Sequence, residues 1–274
     1  MRIRTLGRSV TLTVALALAA PLAPALAAPA VAVQAAPVAT ATDASVVSTY
    51  VNAVYRDLLG RGADSTGLAT WTSAIMGGSP LRSVANSITA SAEFRGTLIE
   101  ATYRDYLGRG ADPTGMQTWQ NSLRAGRTIQ DIEVGFVASA EFYSKAGGTS
   151  TGWVGQLYRT VLGRTAGTTE VGHWVSRLAA GASRHDVARG FVMSSERLST
   201  VVDRYYGSLL GRSIDPDGRA TWVRQLQSGT RIEAVIGSIL SSAEYVRRVT
   251  GTVIDRRMMI SHGCSIGRDS TIEK

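Results

Sequence analysis

YRDLLGRGADSTGLATW, from Tyr55 to Trp71, decides the fold, because the chain writes it four times. YRDYLGRGADPTGMQTW runs from Tyr103 to Trp119, YRTVLGRTAGTTEVGHW from Tyr158 to Trp174, and YGSLLGRSIDPDGRATW from Tyr206 to Trp222. Tyr and Trp stand 16 positions apart in every copy. Further on, each copy carries a Ser-x-Glu element: SAEF from Ser91, SAEF from Ser139, SSER from Ser194 and SAEY from Ser242. Matched offsets at so many positions mark internal duplication. A period of this length is the signature of a repeat architecture in which each copy leans on its neighbours for a core.

Within a copy the apolar period is helical. Val47, Val51, Val54, Tyr55 and Leu58 share one face, and Asp43 is placed to cap their helix. Gly60 or Gly62 can end it in the left-handed conformation. The segments Asp64-Ser-Thr-Gly67, Asp112-Pro-Thr-Gly115 and Asp215-Pro-Asp-Gly218 read as an N-cap followed by the first turn of a Trp-bearing helix. A third helix carries Val84/Ile88, Ile132/Phe136, Val187/Phe191 and Val235/Ile239 at i,i+4 spacing. The serine of each Ser-x-Glu then opens another, which in the first copy runs straight into Tyr103. The predicted fold is all-α: four tandem helical repeats of about 48 residues arranged as two pairs, with a short irregular or β-helix-like tail.

The copies start 48, 55 and 48 residues apart. The seven extra residues fall near Gly147-Gly148-Thr149-Ser150-Thr151-Gly152, a linker composition. The expected organisation is therefore a first pair over 43–146, a linker over 147–152, a second pair over 153–250 and a tail over 251–274. Residues 1–27 read as a secretory signal. Arg2, Arg4 and Arg8 form its charged start, Val10–Ala20 its apolar stretch, and Ala25-Leu26-Ala27 its cleavage site. Pro21 and Pro24 interrupt the run a membrane span needs. Residues 28–42, rich in Ala, Pro, Val and Thr, read as a linker. In the tail, Ile254, Ile260, Ile266 and Ile272 recur every six residues, which resembles a fragment of a hexapeptide-repeat acyltransferase. That is little over one coil, so His262 is not expected to act as a base, and Cys264 reads as a free thiol.

Composition narrows the chemistry. The 274 residues are 44% hydrophobic and 18% charged, with a single Cys, which excludes wholesale disorder and a disulfide-stapled scaffold. Net charge is +8, and the three leader arginines leave +5 for the mature chain. Arginines are dispersed along the helices, so a nucleic-acid partner is not expected; mild attraction to anionic polymers is. Tyr55, Tyr103, Tyr158 and Tyr206, with Trp71, Trp119, Trp174 and Trp222, read as core, each indole N–H given to a loop carbonyl. Arg61, Arg109, Arg164 and Arg212 recur six residues after the tyrosine, and Glu93, Glu141, Glu196 and Glu244 recur 38 after it. The third copy has Gly167 where the others have their loop Asp. The arginine is therefore expected to pair with the Ser-x-Glu carboxylate or with helix C-terminal carbonyls. Calcium needs six to eight oxygens, and only Asp215 and Asp217 form an acidic pair, so they are weak candidates. His173, His185 and His262 form no triad or metal motif, and one Cys cannot begin a zinc site. No cofactor is expected.

The unit Tyr-Arg-Asp-x-Leu-Gly-Arg-x-x-Asp-x-x-Gly-(x)3-Trp followed by Ser-x-Glu-Phe resembles the bacterial domain of unknown function 4214 family. The resemblance covers about residues 44–249, matching at Tyr55, Gly60, Arg61, Asp64, Gly67 and Trp71, and at Tyr103, Gly108, Arg109, Asp112, Gly115 and Trp119. The third copy departs from it, with Gly167 for Asp and Glu170 for Gly, which puts a loop-dependent role in doubt there; the fourth lacks the Arg after Tyr206. The resemblance implies a helical domain found singly or in tandem in exported bacterial proteins, similar to the linker domains of cyanobacterial antenna complexes, and implies no enzymatic activity. The expected function is a secreted, non-catalytic scaffold or binding module of the cell envelope or exterior, for a protein or an anionic wall glycan. The alternative is a wall-active glycan hydrolase, which requires two carboxyls about 5–9.5 Å apart across a cleft.

Overall fold

The computed structural model describes residues 44–252. Residues 1–43, where the leader, the linker and the Asp43 cap are expected, and the tail from residue 253, with His262 and Cys264, lie outside the described residues. These form fourteen helices and no strand. The first copy supplies α1 (Ala44–Leu59), α2 (Ser65–Met76) and α3 (Leu81–Thr89). Its Ser-x-Glu helix continues without a break into the Tyr103 helix of the second copy, making α4 (Ala92–Leu107). Next come α5 (Pro113–Arg124), α6 (Ile129–Ala138) and α7 (Ala140–Lys145). The third copy supplies α8 (Ser150–Val161), α9 (Thr168–Ala179) and α10 (Arg184–Val192), and α11 (Ser195–Leu210) crosses into the fourth. The chain finishes with α12 (Pro216–Gln227), α13 (Ile232–Leu240) and α14 (Ala243–Thr250).

Local chemistry sets the helix ends. Asp64, Asp112 and Asp215 accept from the backbone N–H of Gly67, Gly115 and Gly218 at 2.8, 2.8 and 2.7 Å, satisfying donors that the first turn leaves orphaned. Ser91, Ser139, Ser194 and Ser242 do the same for α4, α7, α11 and α14. The glutamate two residues on sits in the first turn, where the helix dipole favours a negative charge. The Tyr-bearing helices stop at Gly60, Gly108, Gly163 and Gly211, whose φ values of 69°, 64°, 70° and 72° suit glycine.

The inserted residues lie where the spacing placed them, between α7 and α8, but the linker is shorter than 147–152. Ser150–Gly152 already belong to α8, whose start Thr149 caps. The two pairs are also not separate bodies: α3 packs on α13, α6 on α10 and α1 on α14, so the fourth copy closes against the first. A copy has too few apolar faces to enclose a core alone, and α13, with buried residues on all sides, is shared between copies.

The pairs repeat each other with a shift of 103 residues. Tyr50 donates its hydroxyl proton to the Leu240 carbonyl at 3.2 Å, and Trp153, its counterpart, donates its indole N–H to that of Val137, the counterpart of Leu240, at 2.7 Å. At one of the places where the symmetry breaks, a charged set is buried. Phe94, Leu209 and Ile236 are all buried and apolar; their counterparts are Arg197, Tyr106 and Glu133. Arg197 donates through Nη2 to Glu133 at 3.0 Å and to the Tyr106 hydroxyl at 3.2 Å, with the Arg197 and Glu133 side chains only 10% and 12% exposed.

Candidate functional site

The repeated residues come together in each copy as one cluster. The Tyr-bearing and Trp-bearing helices pack side by side, and the turn between them carries the arginine. Its guanidinium carbon lies over the tyrosine ring, 5.3, 5.1, 4.8 and 5.5 Å from the centroid in chain order. Its Nε and Nη2 form a fork on both oxygens of the Ser-x-Glu carboxylate. The distances are 2.7 and 2.7 Å for Arg61–Glu93, and 3.2 and 3.1 Å for Arg109–Glu141. They are 2.6 and 3.3 Å for Arg164–Glu196, and 2.5 and 2.6 Å for Arg212–Glu244. The planar fork matches a carboxylate. The hydrogen bonds from arginine hold the Glu93, Glu141 and Glu244 carboxyls below the ordinary range.

Two details differ from the sequence reading. The indole N–H goes to the tyrosine hydroxyl and not to a loop carbonyl, at 3.0 Å from Trp71, 3.2 Å from Trp174 and 3.3 Å from Trp222. Apart from buried Trp222, these indoles are half-buried covers over the tyrosines. The physical reason is the side-by-side packing of the two helices, which sets the tyrosine hydroxyl opposite the indole 16 residues on; the bond forms in the third copy even with Glu170 in the glycine position, while in the first two the Tyr55 and Tyr103 hydroxyls also crowd Gly67 and Gly115. Second, the third copy keeps its loop acid by exchange. Glu170 stands in the glycine position. Its Oε2 accepts from the N–H of Gly167 at 2.9 Å, reaching back to the cap residue instead of being reached from it as Asp64 is from Gly67, and its two oxygens accept from Arg164 at 3.0 and 2.8 Å. Those contacts, Arg164 first, pull its carboxyl down to about 2.

The remaining candidates are dispersed. Asp215 is occupied as the α12 cap, with Asp217 in the first turn behind it. Among the described residues no group of three or more His, Cys, Asp or Glu side chains could hold a metal ion. His173 lies on the exposed face of α9 at the edge of Trp174, and His185 opens α10. No helix of the described residues is long and apolar enough to cross a membrane. Sequence reasoning missed Trp153, a fully buried side chain five residues before Tyr158, an offset it shares with Tyr50. It also missed Arg197, although that arginine stands in the aromatic place of the Ser-x-Glu element.

Clefts open on this scaffold among the described residues. One lies along His173, Ser176 and Arg177 of α9 and carries no carboxylate. Another, of about 360 Å³, lies where α3, α4, the end of α5 and the start of α13 meet, and carries one, Glu233. No curated protein and no solved structure matches the chain. A family model does, in four tandem segments over residues 38–98, 85–146, 134–201 and 199–249, and these segments follow the four clusters copy by copy. The chain belongs to the family described as domain of unknown function 4214.

Proposed function

We propose that this chain is an exported, non-catalytic helical repeat protein, a scaffold or binding module of the cell envelope or exterior whose partner is a protein or an anionic wall glycan. One observation carries the reading: in every copy the arginine and glutamate are bound to each other as a fork, with the tyrosine stacked beneath. The most repeated polar groups are thus consumed in closing the copy, as fold-fixing groups are, and are not held ready for a substrate. Neither of these clefts carries the paired carboxylates that a glycan hydrolase uses. The leader at 1–27 supports export, and the +5 charge of the mature chain supports an anionic partner.

The test is a pull-down of the purified mature chain, residues 28–274, with isolated cell walls and with culture supernatant. Retention at low salt that salt weakens is the expected outcome; no retention by either removes the proposal. N-terminal sequencing of exported protein checks the leader, with Ala28 expected first.

A further inference from the structure

The two halves of the chain build an arginine-rich face together. Arg231, at the start of α13, reaches across to the end of α5. Its Nη1 donates to the Leu123 and Arg127 carbonyls at 3.3 and 2.9 Å, and its Nη2 to Glu233 at 2.7 Å. Just past Arg127, Thr128 and Asp131 cap α6, and Asp131 meets Arg189 of α10 at 3.5 Å. Arg95 and Arg124 line one cleft with Arg231. Five arginines thus stand with two acids, and both acids are engaged already, Glu233 by Arg231 and Asp131 by Arg189 and its own cap. The local excess is three positive charges, in a chain whose whole excess without the leader is five.

Arg124 and Arg127 are exposed and form no ion pair among the described residues. Arg124 donates to the Asn121 amide oxygen at 3.0 Å, and Arg127 has only the shared Asp131 in its field. Each junction between the halves carries one arginine–acid pair, Arg189 with Asp131 on α10 and α6, and Arg231 with Glu233 at the start of α13. The acid-free arginines are not repeated: the residues 103 further on from Arg124 and Arg127 are Gln227 and Thr230. Packing therefore does not call for arginine at these two exposed positions.

We propose that this face is the docking surface for a linear anionic wall polymer, its successive carboxylates or phosphodiesters laid over Arg124 and Arg127 in the field of Arg95, Arg189 and Arg231. A lone small anion gains little from an exposed guanidinium and loses that to salt. A chain with a charge on every unit engages both free arginines at once, and the second contact is made at high effective concentration. Guanidinium forks fit carboxylate and phosphate oxygens alike, and the exposed Asn86 amide in the cleft offers a partner to sugar or polyol hydroxyls. No aromatic ring lines the cleft, so the bases of a single-stranded nucleic acid have nothing to stack on. The inference rests on the anionic-glycan half of the reading above and says where that partner sits.

Fluorescence anisotropy of labelled polygalacturonate and labelled poly(glycerol phosphate), titrated with the purified mature chain at low salt, tests it. Single-stranded DNA of equal charge and monomeric galacturonate run alongside. At least one wall-type polymer is expected to bind more tightly than the DNA and far more tightly than the monomer; preference for polygalacturonate marks a uronic-acid chain, and preference for poly(glycerol phosphate) a phosphodiester chain. Arg124→Gln with Arg127→Thr, copied from the sister positions, is expected to weaken binding about tenfold or more at an unchanged melting temperature. Arg56→Gln with Arg159→Gln removes the same charge from exposed positions in the last turns of α1 and α8, and is expected to bind like the unaltered chain. Binding of neither polymer, equal binding of the DNA, or equal weakening by the two double variants overturns the proposal. Isolated walls separate this failure from that of the broader reading: walls that retain the Arg124→Gln, Arg127→Thr chain as well as the unaltered one overturn the placement alone, and walls and supernatant that retain neither overturn both.

Discussion

A methyl group on Gly67 would lie 2.7 Å from the Tyr55 hydroxyl, and one on Gly115 closer still to that of Tyr103. Gly67→Ala and Gly115→Ala should therefore each lose about 1–3 kcal/mol, read by urea denaturation. Gly172→Ala serves as the contrast. That residue is exposed in α9 with nothing near the added methyl, and the change should gain about 0.5–1 kcal/mol. The acids of the clusters set the response to pH. Glu93, Glu141, Glu170 and Glu244 have folded pKa values below their unfolded ones, because arginine holds the charged form. Their stabilisation is complete above the unfolded value of about 4.3 and is lost as pH falls through the folded values, to about 2 for Glu170. The melting temperature should be level from about pH 7 to 5 and fall below about 4.5. Glu170→Gln, which no longer titrates, should make that fall shallower; an identical acid limb would contradict the pairing.

Helix ends are legible in this sequence because caps are local: Asp112-Pro113 or Ser91 needs only the next three residues to declare itself. What the helices meet is a different kind of information. The fork from Arg61 to Glu93 spans 32 residues, and it can be read because four copies repeat it and the third keeps its arginine without the loop Asp. Arg197, Glu133 and Tyr106 occur once, so repetition hides them, and only the coordinates join three residues from two copies. Removing one member leaves a buried charge unpaired: Arg197→Met should cost about 3–5 kcal/mol. Transplanting the whole apolar counterpart, Arg197→Phe with Glu133→Ile and Tyr106→Leu, should leave stability level or raise it. Chemical denaturation of both variants gives the comparison, and an equal loss in the two would refute the argument. The same indole that reads as core in sequence turns out to be a cover, because helix packing brings its N–H to the tyrosine hydroxyl 16 residues earlier.

At the scale of the molecule, the packing of α3 on α13 and α6 on α10 makes each pair the complement of the other. A fragment of residues 44–146 exposes both faces, and two copies of it could satisfy each other, α3 on the partner's α6. The ionic set opposes this, because Glu133 and Tyr106 would then face the partner's Phe94 with no arginine. The fragment should therefore dimerise poorly, and Glu133→Ile with Tyr106→Leu should turn it into a stable dimer by light scattering. Equal masses for the two fragments would show that the buried pair has no part in choosing partners. Nothing in the repeat spacing reveals this choice, since four near-identical copies offer several equivalent ways to meet.

The meeting of α14 with α1 has one more consequence. The junction from Lys145 through the two glycines to Ser150 corresponds, by the shift of 103, to Arg248 and Val47, which lie on α14 and α1, two helices that pack together. Lys145 donates to the Leu107 carbonyl, and Arg248 donates to that of Leu209, one residue short of the counterpart of Leu107. One junction is sewn and the other open, and the order of sewing is arbitrary to the packing. A circular permutant that begins at Gly148, ends at Gly147 and bridges Thr252 to Ala44 with a short glycine-rich strap should fold to the same helical content and melt as one cooperative body.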